Sequence, residues 1–129
     1  NLNQLIGYIN ENSSGNPIII MGDFNSRYTR EGDTIRALLD LGFSDLWLEL
    51  VRSENVPPLD PTKLKECDPD RTGYNCELVD KIFYRSTTDV KIKPLKFQAD
   101  DSRFYYNGID SLDLSDHWPL FADFEIEFK

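Results

Sequence analysis

The sequence is poor in cysteine and histidine, has a single methionine, and contains no long hydrophobic run. No apolar stretch approaches the roughly 20 residues needed to span a bilayer, so no transmembrane helix is expected. Two cysteines are too few for a thiolate metal cluster. Basic residues are scarce as well, 14 against 23 acidic ones, for a net charge of −9. A chain this acidic does not coat polyanions without a local basic patch or a metal. The balance does not exclude a phosphoesterase, whose carboxylates must hold a divalent cation. At 129 residues there is room for one domain with a core and not for two. There is no internal repeat and no low-complexity segment. The chain begins at Asn1 without initiator methionine, signal peptide or obvious cap, as a segment of a longer protein would.

Leu2, Leu5, Ile6 and Ile9 recur at helical spacing and predict an amphipathic helix to about Asn10. The apolar run Ile18-Ile19-Ile20-Met21 predicts a short strand buried on both faces, and such a strand needs covering helices. Thr34 to Leu41 reads as a helix with Asp33 as N-cap and Gly42 as its stop, and Phe43 to Val51 as a second helix. Arg52 to Asn75, interrupted by Pro57, Pro58, Pro61 and Pro69, reads as loop. Leu78 to Tyr84 predicts a strand and Val90 to Phe97 its partner, with Pro94 tolerated at an edge. Asp100 to Leu114 is polar loop with an Asn107-Gly108 turn, and Pro119 to Phe128 alternates as a half-buried strand.

Cys67 and Cys76 bracket the polar stretch Asp68 to Asn75, which holds Pro69 and Gly73 as a surface turn would. A disulfide closing it would stabilise by roughly 2–3 kcal/mol; the plainer alternative is two free thiols that never meet. Asn12-Ser13-Ser14 also matches a glycosylation acceptor. Together these features favour a secreted protein.

Three short motifs sit where strands meet loops. Gly22-Asp23-Phe24-Asn25-Ser26 follows the first strand. There Gly22 lets backbone approach a ligand, and Asp23 and Asn25 can share one side. The plainer alternative is a turn. Leu78-Val79-Asp80-Lys81-Ile82-Phe83 puts a carboxylate inside an apolar strand, where it needs a donor. Ser115-Asp116-His117-Trp118-Pro119-Leu120 precedes the last strand and carries the only histidine. A carboxylate on one imidazole nitrogen fixes the tautomer and aims the other at substrate, so His117 is a candidate partner for Asp80. The alternative is an Asp80 ion pair with Lys81 or a surface arginine.

This order of motifs resembles the second half of the endonuclease/exonuclease/phosphatase (deoxyribonuclease-I-like) superfamily, over about Leu2 to Phe128. The resemblance implies an α/β (α+β) fold: half of a four-layer α/β/β/α sandwich, with a mixed sheet covered by helices on one face. Residues 1–129 would be the carboxy-terminal half of the domain. The family's amino-terminal half, with its metal-binding Glu, would be supplied by a second chain or a precursor segment. Residue by residue, it implies that Asp23 deprotonates the attacking water and Asn25 hydrogen-bonds that water or a phosphoryl oxygen. Asp116 would hold the metal or align the water, His117 would donate to the phosphoryl oxygen, and Asp80 would orient His117. In-line phosphoester hydrolysis needs a base, a donor and a cation. Carboxylates, amide and imidazole without a cysteine cluster point to Mg²⁺, or to Mn²⁺ or Ca²⁺. Arg27 and Tyr28, with Arg30, are candidates to contact substrate, against the alternative of a solvated loop. Trp118 is read as core packing before base stacking.

The implied function is hydrolysis of a phosphate ester, first as a phosphodiesterase or nuclease. The alternatives are a sphingomyelinase-like phospholipase C, an inositol, sugar or nucleotide phosphatase, and, in another class, a non-catalytic binding module or inactive fragment.

Overall fold

A computed structural model describes residues 2–67, 76–99 and 115–129. The helix expected at the start is present as α1, Leu2–Asn12, with Leu2, Leu5, Ile6 and Ile9 on the core side. It leads into β1, Ile18–Asp23. α2 is short, Arg36–Asp40, and ends before Gly42 at φ 78°, a left-handed value that glycine adopts without a Cβ clash. Asp33 does not cap it. Its carboxylate accepts from Arg27 N and Arg30 Nε, both at 2.7 Å, and the N-cap position falls to Ile35 without a side-chain bond.

The single helix expected over Phe43 to Val51 divides into β2, Ser44–Asp45, and α3, Leu46–Arg52. Asp45 makes the division: its carboxylate accepts from Trp47 N at 2.8 Å, an N-cap bond that starts α3 one turn later than the apolar pattern suggests. The remaining strands are β3, Asp80–Arg85, β4, Val90–Ala99, and β5, Leu120–Phe128.

The class is α+β, and every pairing between these strands is antiparallel. One sheet has the order β1-β3-β2, which makes β3 its central strand. β4 does not pair with β3 as expected. A tight turn, with Thr87 N donating to Val90 O at 2.9 Å, sends it away to pair with β5, bulging between Pro94 and Lys96 where proline lacks a donor. The expected turn at Asn107-Gly108 lies outside the described residues.

β3 organises the core. Its side chains alternate, so Asp80, Ile82 and Tyr84 share one face and Lys81, Phe83 and Arg85 the other. The Lys81 face meets Tyr28 and Trp47, and the other meets β5, where the Tyr84 and Phe124 rings stand edge to face at 6.1 Å. β1, expected to be buried on both faces, is an edge strand of this sheet. Ile18 and Ile20 pack on the core, while Ile19 is 36% and Met21 67% exposed. No described helix is long and apolar enough to cross a membrane.

Candidate active site

Register brings the first two motifs together. In the β1–β3 ladder Asp23 lies directly opposite Asp80. Like charges in that arrangement destabilise a sheet, so the pair invites a cation. His117 closes on it: its Nδ1 lies 2.7 Å from Asp80 Oδ2. The ring is anchored through its backbone, with His117 N donating to Ser115 Oγ at 3.0 Å. With Nδ1 committed to Asp80, Nε2 has no hydrogen-bond partner among the described residues. The His117 side chain is 40% exposed and that of Asp80 only 18%, so the ring is reachable and its carboxylate partner is sheltered. The hydrogen bond to Asp80 and that carboxylate's charge push the His117 pKa above its ordinary 6.5. Burial opposes them slightly, and the Asp23 and Asp116 charges add to the rise. Of the partners expected for Asp80, then, His117 is the one it takes. Lys81 points to the opposite face.

Asp23, Asp80 and His117 offer ligand atoms that all lie within 4.8 Å of one another. Two carboxylate oxygens beside an imidazole are ligand types that divalent cations take. Asp116, assigned to the metal from sequence, is exposed and outside this cluster; it reaches the site through its charge on His117.

Asn25 follows Asp23 in a left-handed turn, φ 45°, which asparagine tolerates better than most residues. Its N–H donates to Asp23 Oδ1 at 2.7 Å, tying the two expected residues together. Gly22 sits at φ 147°, and a Cβ there would meet nothing within 4 Å. That φ is one that residues with a Cβ rarely adopt, so backbone conformation alone already favours glycine.

Arg27 and Tyr28, expected on a surface loop, turn inward. Tyr28 is fully buried, stacked on Trp47 at 6.4 Å with its hydroxyl donating to Asp45 Oδ2 at 2.7 Å. Arg27 Nη2 donates to Leu64 O at 2.5 Å, and its Nε lies 3.5 Å from Glu77 Oε2. The loop turns inward because buried carboxylates receive it. Glu77, fully buried, accepts from Tyr28 N and from Thr29 Oγ1 at 2.8 Å. Lys81 is buried beside them, Nζ donating to Leu78 O at 2.7 Å and lying 4.7 Å from the Tyr28 ring centre, and burial pushes its pKa down. Sequence reasoning did not find Glu77 or Asp45, since an acidic residue next to an apolar run carries no local sign of burial. Trp118 packs against the core, as read.

Cys67 and Cys76 form a disulfide, Cα atoms 4.8 Å apart. Glu77 N donates to Lys65 O at 2.7 Å and Cys67 N to Glu77 O at 3.0 Å beside it. Met21, Ile82, Trp118 and Leu120 wall an open hollow of about 220 Å³ against Asp80. A larger one, about 560 Å³, lies at the other end of β3 around Tyr84, Arg85 and Lys91, away from this chemistry.

The chain is similar to sphingomyelinases. Those of Mycobacterium bovis and of two strains of Mycobacterium tuberculosis are 33% identical to it over 125 residues, 96% of this chain. The chain spans 24% of the length of these relatives. No family model matches it, and no solved structure matches it.

Proposed function

We propose that this chain carries the imidazole–carboxylate part of a phosphodiesterase site of the endonuclease/exonuclease/phosphatase type, acting on the head group of a sphingomyelin-like phospholipid. The observation that carries the reading is the 2.7 Å Asp80–His117 pair with the Asp23 carboxylate in the same cluster. The similarity to sphingomyelinases selects the phospholipid, and the −9 charge weighs against the nuclease reading that the motif order first suggests. The remaining catalytic groups would come from the rest of a longer protein. The disulfide supports an oxidising compartment, in keeping with secretion.

Asp23, at the strand end and exposed, accepts a proton from the attacking water. The water oxygen bonds to phosphorus and the bond to the lipid-side oxygen breaks; that oxygen leaves as an alcohol by taking a proton from solvent, Asp23 returns its proton to solvent, and the phosphorylated head group is the other product. Asn25 steadies the water or a nonbridging oxygen from its left-handed turn. His117, oriented by Asp80, donates from Nε2 to the phosphoryl oxygens as charge develops. Asp23 and Asp80, the carboxylates of the cluster, would hold a divalent cation, which when bound would neutralise phosphoryl charge.

The test is hydrolysis by the full-length protein, with Mg²⁺ or with chelator, of sphingomyelin, a chromogenic phosphodiester, DNA, RNA and inositol phosphates. Sphingomyelin turnover is expected, and His117→Ala should lower it on the order of a hundredfold with the fold intact. Failure to hydrolyse any of the panel, or near-normal turnover by His117→Ala, overturns the reading.

A further inference from the structure

We infer that Glu77 is a positioning residue for this site, its buried carboxylate clamping the loop that carries Asn25 onto the segment that carries Asp80. The inference rests on the phosphodiesterase reading above. Glu77 is fully buried and cannot touch a substrate. Its two carboxylate oxygens are divided between consecutive residues of one loop, Oε1 accepting from Tyr28 N and Oε2 from Thr29 Oγ1. The Arg27 guanidinium offsets the charge, its Nε 3.5 Å from Oε2 without hydrogen-bond geometry. A carboxylate out of water persists only with such partners.

The topology gives the clamp its purpose. From the Asp23–Asp80 pair the two segments run on side by side, Phe24 N donating to Val79 O at 3.2 Å. Beyond that bond the ladder ends, and the next tie is Glu77 to Tyr28 and Thr29. Asn25 therefore sits in a left-handed turn spanned by two anchors, Phe24–Val79 on one side and the Glu77 clamp on the other. Within the loop the Asn25 carbonyl accepts from Arg30 Nη2 at 2.5 Å, and Asp33 gathers Arg27 N and Arg30 Nε. These bonds make residues 25–33 move as a unit, so releasing its outer end displaces Asn25 and, through the Asn25 N bond to Asp23, the carboxylate as well. Glu77 is itself fixed by its backbone bonds to Lys65 and Cys67 and by the neighbouring disulfide.

The experiment measures kcat and KM of the full-length protein on bis(4-nitrophenyl) phosphate, per folded molecule, for Glu77→Gln, Thr29→Val and Thr29→Ser. Thr29→Val keeps the side chain's shape and deletes one clamp bond; Thr29→Ser keeps the donor. Glu77→Gln and Thr29→Val are expected to lower kcat about tenfold or more, a displacement effect, with KM held within about twofold. Thr29→Ser should retain most of the activity. The alkaline limb of the pH–rate profile should stay where it is, since the Asp80–His117 pair is untouched. Wild-type kcat per folded molecule in both Glu77→Gln and Thr29→Val, or equal losses in Thr29→Val and Thr29→Ser, overturns the inference while leaving the phosphodiesterase reading in place. If Glu77→Gln does not fold, the two Thr29 variants decide by themselves. Wild-type protein without phosphodiesterase activity fails the functional reading and takes this inference with it.

Discussion

Asp80 and Lys81 are neighbours on β3, and the peptide bond between them separates two electrostatic regions with opposite logic. On one face Asp80 meets His117 at the rim, in partial contact with water. On the other Lys81 lies with Tyr28, Asp45 and Glu77 in the interior, where burial pushes the Lys81 pKa down and the Tyr28 and Asp45 pKa values up. Strongly perturbed groups often mark active sites. Here the buried, perturbed set is a scaffold that holds the loop from Arg27 to Thr29, and the reachable His117, its pKa raised chiefly by Asp80, is the candidate for chemistry. Exposure, more than the size of a perturbation, separates the two roles.

The comparison breaks if the scaffold charges are dispensable for folding. Lys81→Met keeps most of the stem and deletes the cation facing Asp45 and Glu77. It should cost about 3–5 kcal/mol of stability, the usual penalty for unpairing buried charge. Urea denaturation of the full-length protein measures this, and a loss below about 1 kcal/mol would place Lys81 among surface-like ion pairs instead.

A smaller effect sharpens the other side. Asp80→Asn leaves His117 in place but removes the main cause of its raised pKa. The imidazolium should then deprotonate at lower pH, so the alkaline limb of the activity profile shifts down toward about 6.5. Turnover at the optimum should fall by roughly tenfold, less than for His117→Ala, because the ring is misoriented rather than deleted. The sign follows from linkage: a raised pKa keeps the charged form to higher pH, and loss of the cause brings the limb back. An unmoved limb would mean that another group titrates there.

The smallest effect concerns the opposed carboxylates. With metal removed, Asp23→Asn should leave the protein as stable or more so, by a few tenths to about 1 kcal/mol, because it relieves a like-charge pair across the β1–β3 ladder. A clear loss of stability in a thermal melt would show that Asp23 is held for structure.

Local pattern determined the parts of this protein that depend only on neighbours in the chain. The 3.6-residue spacing of Leu2, Leu5, Ile6 and Ile9 suffices for α1, and alternation from Leu120 to Phe128 suffices for β5. The motif residues were legible too, because a carboxylate inside an apolar strand and a histidine beside another carboxylate are unusual on their face. The disulfide was one of two readings of Cys67 and Cys76, and the fold chose it by bringing Cys67 against Glu77. Only tertiary structure decided that β4 pairs with β5, that β1 is an edge strand, and that Arg27 and Tyr28 turn inward. Each of those outcomes depends on a partner distant in sequence: β5 for β4, β3 for β1, and Glu77 and Asp45 for the loop. A polar residue's fate is set by whether such a partner waits in the interior, and hydrogen-bond satisfaction there is a property of the fold, not of the residues adjacent to it.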